Sequence, residues 1–570
     1  MSSYRPEIVD GSRIKIAALL SEIDEDQLID SRIDELDRSI FLAVGFDRDS
    51  ETQGDAAAHY VESCIHAIER LLQLKHSAYE SARWLWYLRR LPPTLFGGEL
   101  KSTEGYDTSL AESLTWRIGG VAKSTSERSL SFPIDASTVR HIVRLAAGVR
   151  LMSHLHSLYR RIGKGARLRF MSGSSIPKIV ESLELQEAIT RYDARCNQND
   201  GNFVSGLGLA PTGLVDLEPM SNSGSEVCVL VFKLRALVGL PVKGPDGAGG
   251  FADCVVSSTH GIQFADTSKL LLPFRGVEQG GVGFDPNIGL PLTLLLLFPY
   301  FAHLDRACVA NVLQVGYAPV LKTNFHEIVK RGLPVVAEQL RAHRIDVQLD
   351  GPDGFVAALE QAEPQLWPLK SRGLIRDAKS FYMIDFASAT RSLQSFLQVD
   401  RHSPFSSARG DEFERQVQHM IGESEWRPSA MFLDLRGRTL RIAGRKLTDV
   451  DALGVYGDTL LLVSCKSVVF DAKYDKGEFA TVRNREALVN QAFQSCQKTL
   501  SILLQQPCGD NFDFSVFSKM ICAVCTPFPV YTSSPHSNFQ VDSGLFGISS
   551  FEELRVWLNS KRTGQSTHLL

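Results

Sequence analysis

The spacing of apolar and polar positions divides the chain into parts of different character. From about Ile14 to Leu91 the apolar residues recur at every third or fourth position, which is the spacing of amphipathic helices. Residues 200–290 instead hold short β-rich runs such as EVCVLVFKL, separated by glycine-rich turns. Helical spacing returns from Asp305 to Arg344. The pattern therefore predicts a helical N-terminal part and an α+β middle part.

Local signals add detail to the region before residue 400. Residues 136–162 have helical spacing, and the segment from Ser172 to Tyr192 is typical of a capped helix. Gly163 to Gly165, a Gly-Lys-Gly sequence, lacks the spacing of a phosphate-binding loop and predicts a surface turn. Residues 380–386 predict a strand that leads into a helix over 387–398.

The last 160 residues predict a compact α/β unit. The order is a helix from Asp411, a strand at 430–437, a strand carrying Asp449 and Asp451, and a strand ending at Lys466. A long helix, a strand around MICAVC and a final helix follow. Apolar strands in this order, with helices before and after them, predict an α/β sandwich.

Domain boundaries follow from these changes. We predict a helical N-terminal region at 1–125, a mixed α/β middle region at 126–400, a polar linker at 401–410 and an α/β domain at 411–570. A linker rich in Ser, Pro and Gly further predicts that a chain beginning near Ser406 folds alone.

Composition narrows the functional classes. The chain is 44% hydrophobic with a formal net charge of -4, so any contact with nucleic acid must be local rather than global.

The ten cysteines are scattered, and Cys522 and Cys525 form a lone CxxC that predicts a core strand rather than a zinc site. A reducing, cytoplasmic location fits this usage. The most apolar run, Leu290 to Phe301, is too short to span a bilayer, so we expect a buried element and no membrane contact.

One group of residues in the last 160 positions has the spacing of a catalytic site. Asp451 stands 13 residues before Ser464, and Ser464 opens a Ser-Cys-Lys triplet ending at Lys466. Phe413 and Glu414 lie in the helix that opens the domain. With the element order, these residues resemble the restriction-endonuclease-like, PD-(D/E)xK nuclease superfamily, over roughly the last 160 residues.

The resemblance implies a role for each residue. Asp451 would be the central ligand of Mg²⁺ or Mn²⁺, and Lys466 would orient the attacking water or stabilise the developing charge. The backbone carbonyl of Cys465 would supply a further oxygen ligand. Glu414 corresponds to a carboxylate that many members bring to the metal. Asp449, two residues before Asp451, is expected to support it from the same strand face.

Ser464 departs from the family pattern, which has Glu at this position. A hydroxyl brings no charge to a cation, so a metal ligand is missing unless another acid supplies it. Glu478 and Glu486 lie downstream, and Glu414 is the third candidate. We expect the carboxylate to have moved rather than vanished, with Glu478 favoured over Glu486 because it lies nearer the strand end.

Basic residues gather just before the site. They are Arg436, Arg438, Arg441, Arg445 and Lys446, in the sequence RGRTLRIAGRKL. A hairpin carrying these cations is expected to contact phosphates beside the scissile bond. A solvated hairpin without such a role is the competing interpretation.

Two functions follow as hypotheses. The first is a Mg²⁺-dependent endonuclease that hydrolyses DNA, or alternatively RNA, with the upstream region serving recognition, assembly into a homo-oligomer or control. Such a large upstream fraction suits bacterial defence against foreign DNA, by analogy. The second is a nuclease-like domain that has lost catalysis and serves as a nucleic-acid-binding or scaffolding module.

Overall fold

The structure is a computed structural model of the 570-residue chain. It describes residues 7–8, 10–44, 51–75, 79–92, 95, 110–115, 122–123, 125, 129–171, 176–206, 227–245, 251–267, 286–304, 307–342, 351–361, 365–366, 369–370, 374–398, 406–468, 474, 477–533 and 539–560. The protein combines helices with small sheets, as the mixture of helical and strand patterns in the sequence predicts.

The helices are α1 (Gly11–Ser21), α2 (Glu25–Val44), α3 (Gly54–Lys75), α4 (Ser81–Leu88), α5 (Ala136–Gly163), α6 (Leu183–Gly206), α7 (Pro286–Leu304), α8 (Ala307–Val315), α9 (Lys322–Ala342), α10 (Gly351–Gln361), α11 (Phe386–Gln398), α12 (Ser406–Gly422), α13 (Ala430–Leu433), α14 (Phe479–Gln505) and α15 (Phe551–Ser560). The strands are β1 (Glu7–Ile8), β2 (Glu51–Gln53), β3 (Arg167–Arg169), β4 (Lys178–Val180), β5 (Val227–Pro245), β6 (Phe251–Asp266), β7 (Ala318–Leu321), β8 (Gln365–Leu366), β9 (Leu369–Lys370), β10 (Ile375–Ala378), β11 (Phe381–Ile384), β12 (Thr439–Ile442), β13 (Arg445–Asp449), β14 (Ala452–Tyr456), β15 (Thr459–Cys465), β16 (Lys519–Thr526), β17 (Gln540–Asp542), β18 (Leu545–Phe546) and β19 (Ile548–Ser550).

Residues 11–180 form a helical unit around one hydrophobic core. The core runs from Ile16 to Leu168, takes in five further residues between Val315 and Met383, and includes the α5 positions Val139, Ile142 and Ala146, which are fully buried. Asp135 caps this helix by accepting a hydrogen bond from the backbone N of Thr138 at 2.7 Å. This core continues through the boundary predicted at residue 125, because α5 packs on α2 and α3.

Residues 227–398 form a middle unit built on a long hairpin. Strands β5 and β6 pair antiparallel along most of their length, as the β-rich pattern predicts. The apolar run Leu290 to Phe301 lies in α7 and is largely buried against this hairpin and its neighbours. The strand predicted before residue 387 is β11, and α11 follows it. Among the described helices, none is long and apolar enough to cross a membrane.

A buried arginine joins the helical and middle units. Arg89, directly after α4, forms an ion pair with Glu112 of the short helical segment 110–115 and with Asp385 at 3.0 Å. All three side chains are almost fully buried. Removing one partner would leave an uncompensated charge in the interior. Separating the two units at this ion pair therefore costs free energy.

Residues 406–560 form a C-terminal unit with helices on both faces of a sheet. The sheet order is β14-β15-β16-β19, with β14 antiparallel to β15 and the remaining pairs parallel. Because side chains alternate along a strand, Leu461 and Val463 face α12 and α15, whereas Leu460 and Leu462 face α14. The layered α/β arrangement thus follows from strands that are apolar on both faces.

Four local predictions for the chain need correction. Residues 430–433 form the short helix α13, not a strand. Helix α6 begins only at Leu183, after strand β4, and the Ser182 hydroxyl caps it by accepting a hydrogen bond from the backbone N of Leu185. Lys164 does not lie in a surface turn, since its side chain is only 4% exposed. Finally, α12 begins at Ser406, inside the predicted linker, whose residues 401–405 lie outside the described part of the chain.

Helix α6 packs on the C-terminal unit rather than on the middle unit that follows it in sequence. Ala188, Ile189 and Tyr192 belong to the same hydrophobic core as α14 and the sheet. Arg195 adds a buried ion pair with Glu553 of α15 at 2.7 Å. The C-terminal core is therefore completed by residues that lie more than 200 positions upstream.

Candidate functional site

The site lies where the two antiparallel strands β14 and β15 meet at one end of the sheet. Ala452 pairs with Val463, so Asp451, just before β14, stands opposite Ser464 near the end of β15. Lys466 follows the last residue of β15. Asp451 and Ser464, 13 residues apart, therefore lie side by side at the open end of the β14–β15 hairpin.

The Asp451 carboxylate receives its polar contacts on one oxygen. Its Oδ2 accepts hydrogen bonds from the backbone N of Cys465 at 2.8 Å and from the Ser464 hydroxyl at 3.3 Å. Lys466 Nζ lies 3.9 Å from the same oxygen. Oδ1 accepts no hydrogen bond from any residue that the structure describes. Burial raises the pKa of Asp451 despite the opposing charge of Lys466.

Glu414 is the second carboxylate of the site. Burial raises its pKa, and the negative charge of Asp451 raises it further, while Lys466 and Arg436 act in the opposite direction. Within the described part of the chain, Glu414 forms no hydrogen bond or ion pair. A half-buried acid that has no hydrogen-bond or ion-pair partner among the described residues, and that lies close to another acid, is electrostatically suited to a cation.

Gln418 fixes the helix that carries Glu414. It lies one turn further along α12, on the same face, and its side chain is buried. Its amide accepts from the backbone N of Leu453 at 2.9 Å and donates to the carbonyl of Leu453 at 3.0 Å. Among the described strands β14 lies at the edge of the sheet, so Gln418 satisfies backbone groups of Leu453 that none of these strands pairs on that side. Sequence reasoning missed this residue, whose only signal is its position four residues after Glu414.

The two downstream acids have other partners. Glu478 accepts a hydrogen bond from Thr481. It faces the helical unit, since the pKa of Tyr159 in α5 is raised first by burial and then by nearby acids that include Glu478. Glu486 is buried and accepts from the Ser533 hydroxyl and from Arg483. The preference for Glu478 as the relocated carboxylate therefore changes to Glu414, because helix α14 lies on the opposite sheet face from α12.

Asp449 belongs to a different element from Asp451. It ends β13 and is held by Lys446 Nζ at 2.5 Å and by the Thr439 hydroxyl at 2.6 Å. The hydrogen bond from Lys446 lowers its pKa. The chain leaves β13 at Asp449 and enters β14 only at Ala452, so the expectation that both acids share one strand face is not met. Asp449 instead links the two strands of the basic hairpin through its bonds to Thr439 and Lys446.

The predicted basic hairpin exists as β12 and β13. Arg438, Arg441, Arg445 and Lys446 are exposed, and Arg436 is half-buried. Arg441 and Lys446 are directly opposite each other across the strands. Lys446 is paired with Asp449, whereas the Arg441 side chain donates only to the carbonyl of Gly444 among the described residues. The cations therefore form an exposed surface next to the site.

A loop without any signal in the sequence pattern braces this hairpin. The Asp510 carboxylate accepts from the backbone N of Ala443 at 3.0 Å and of Gly444 at 2.7 Å. Asn511 accepts from the backbone N of Arg441 at 3.0 Å. Ala443 and Gly444 both have positive φ, as a two-residue hairpin turn requires. The turn is thus held in one conformation.

The oxygen atoms of Asp451, Glu414 and the Cys465 carbonyl supply only some of the ligands that a hard divalent cation needs. Among the described residues no group of three or more His, Cys, Asp and Glu side chains is placed to hold a metal. Two carboxylates are enough for Mg²⁺, which keeps several waters and binds substrate phosphate. Burial raises the pKa of the Cys465 thiol well above its usual range, so only its backbone carbonyl is a candidate ligand.

Comparison with known proteins adds no assignment. No family model, curated protein or solved structure matches this chain. The assignment of a function therefore depends on the residues of the site alone.

Proposed function

We propose that the protein is a metal-dependent nuclease whose C-terminal unit hydrolyses phosphodiester bonds in DNA. The observation that supports this most strongly is the convergence of Asp451, Glu414 and Lys466 at the end of two neighbouring strands. Burial raises the pKa of both acids, and the charge of Asp451 raises that of Glu414 further; such acids beside a lysine are typical of catalytic rather than structural positions. The layered α/β unit around them is consistent with a restriction-endonuclease-like fold.

Each residue has a defined task in this proposal. Asp451, through the oxygen not engaged by Ser464 and Cys465, and Glu414 would hold Mg²⁺ or Mn²⁺ together with the Cys465 carbonyl. The bound ion would polarise the phosphate and lower the pKa of a water. Lys466 holds a positive charge next to the reacting phosphate and stabilises the charge that develops there. Ser464 orients the Asp451 carboxylate and is not itself a ligand.

The basic hairpin would supply the substrate contact that the acidic net charge does not. Its exposed arginines lie on the chain directly before Asp451, and the charge of Arg436 acts on Glu414. Contacts of this kind position a nucleic-acid backbone without reading its sequence. Action on foreign DNA in the bacterial cytoplasm, with RNA as a second substrate, is the setting that we propose.

Cleavage assays on Lys466 test this function. We expect Lys466→Ala to lower the cleavage rate by about 10²- to 10³-fold while DNA binding persists, because the lysine acts on the transition state. Lys519→Ala removes an exposed lysine of β16 that pairs with Asp542 and serves as the matched control. Equal cleavage by wild type and Lys466→Ala would remove Lys466 from the mechanism, and no cleavage by the wild type would favour the scaffolding alternative.

A further inference from the structure

The helical unit contacts the C-terminal unit, and α6 packed on it, through a set of residues that we name the docking contact: Gly163, Lys164, Tyr192, Tyr474, Gly477 and Tyr531. Gly163 ends α5, and a Cβ built on it would lie 1.8 Å from the carbonyl oxygen of Gly477. Gly477 has a φ of +87°, and its own Cβ would lie 2.6 Å from Cα of Arg160. Two backbones thus touch at a point where only glycine fits.

Hydrogen bonds and rings extend this contact. The Tyr531 hydroxyl donates to the carbonyl of Lys164 at 3.2 Å, and its backbone N donates to the Tyr474 hydroxyl at 2.8 Å. Lys164 Nζ lies 4.4 Å from the ring centroid of Tyr192 and 5.4 Å from that of Tyr531. Burial lowers the pKa of Lys164 to about 8, as expected for an ammonium in a dry interface.

The docking contact reaches the proposed catalytic lysine through one hydrophobic core. Val468 lies two residues after Lys466, and its backbone N donates to the carbonyl of Lys466 at 2.7 Å. Val468 is buried in the same core as Tyr192 and Tyr474. Buried side chains in a close-packed core transmit displacements to their neighbours. Tyr531, which donates to the carbonyl of Lys164 in the helical unit, is buried in that core as well, so the position of Lys466 depends on a core that the helical unit contacts.

We propose that docking of the helical unit positions Lys466, so that the nuclease site is competent only in the docked protein. The inference depends on the proposed nuclease function for its catalytic part, and it assigns Gly163 and Tyr531 as positioning residues. It also gives the first 206 residues a role in control. Release of the docking contact would leave the acids and the hairpin in place while freeing the strand end that carries Lys466.

The glycine contact allows a direct test in the full chain. Gly163→Ala suits a helix end but clashes with Gly477, so it should separate the two units without disturbing α5 itself. We expect kcat to fall by about 10²-fold with the KM for DNA nearly unchanged, since a misplacement of about 1 Å has this effect on a catalytic group. Gly11→Ala is the control, because nothing lies within 4 Å of a Cβ at Gly11.

A second readout does not need cleavage. Hydrogen exchange of the backbone amides at 464–468 should become faster in Gly163→Ala and in Tyr531→Phe, while exchange in α12 stays unchanged. Tyr531→Phe keeps the ring and removes only the bond to Lys164, so it tests the contact if Gly163→Ala fails to fold. Unchanged exchange and kcat in both variants would overturn the proposal. Faster exchange with no cleavage by the wild type would reject the nuclease function but support the docking.

Discussion

At the scale of single residues, the site shows what sequence spacing can and cannot predict. Asp451 and Lys466 are predictable together because the length of a hairpin fixes the distance between its two ends. Glu414 is one of three candidate acids, and sequence distance favours Glu478 instead. The choice among them depends on which sheet face each helix covers, and no local pattern encodes that.

The raised pKa of Asp451 predicts a gain in stability when its charge is removed. A folded-state pKa above the unfolded value means that the folded protein binds more protons, so stability falls as pH rises through that range. Without metal at pH 8, Asp451→Asn should therefore raise the free energy of unfolding in urea, and the gain should shrink as the pH falls through the raised pKa of Asp451.

Asp449→Asn is the matched control for this prediction. Its pKa is lowered, so its ionised form stabilises the folded state above its unfolded pKa and the substitution should have the opposite sign. Mg²⁺ should stabilise the wild type but not Asp451→Asn. A loss of stability in metal-free Asp451→Asn at pH 8 would show that burial does not dominate at this carboxylate.

At the scale of elements, the basic hairpin is predicted correctly, whereas the prediction of a strand at 430–437 is wrong. The hairpin carries its own signals, since Ala443 and Gly444 form a turn between alternating strands. Residues 430–433 are too few for periodicity to distinguish a helical turn from a strand. The brace from Asp510 and Asn511 could not be predicted, because it joins segments about 70 residues apart.

The hairpin should contribute to DNA affinity but not to the chemical step. We expect Arg441→Gln and Lys446→Gln each to weaken DNA binding and to reduce the slope of log K against log salt by about 0.9 for each phosphate that the variant no longer neutralises. Arg331→Gln changes an exposed arginine of α9 that pairs with Glu327, and should leave the slope unchanged. Fluorescence anisotropy at several salt concentrations measures this. Identical slopes in all variants would remove the hairpin from the interface.

At the scale of the whole molecule, composition and periodicity indicate mixed helical and α+β parts but not how the parts pack. The polar stretch at 401–410 suggests an independent C-terminal domain. Helix α6 nevertheless completes the core of that unit, with Tyr192 buried against Tyr531. The sequence does not indicate this packing, because α6 by itself has the pattern of an ordinary amphipathic helix and the polar stretch at 401–410 carries no information about its partners.

Truncation tests this reassignment. A chain beginning at Ser406 should expose the surface that α6 covers and leave Glu553 without Arg195, so we expect it to aggregate or unfold at lower temperature than the full chain. Adding residues 183–206 as a separate peptide should restore part of the stability. A well-folded truncated protein with an unchanged melting temperature would restore the domain boundary predicted from the sequence.

The most direct test of the central claim measures metal binding by Glu414. We expect the wild type to bind Mn²⁺ in calorimetry and Glu414→Gln to bind it more than about tenfold more weakly, since even partners outside the ligand sphere change metal affinity by about 10- to 100-fold. Glu478→Gln, in which a hydrogen-bonded acid facing α5 is neutralised, should bind like the wild type. Cleavage should fall with affinity in Glu414→Gln alone. Wild-type affinity in Glu414→Gln, or loss of binding in Glu478→Gln, would contradict the assignment of Asp451 and Glu414 as the metal-binding pair.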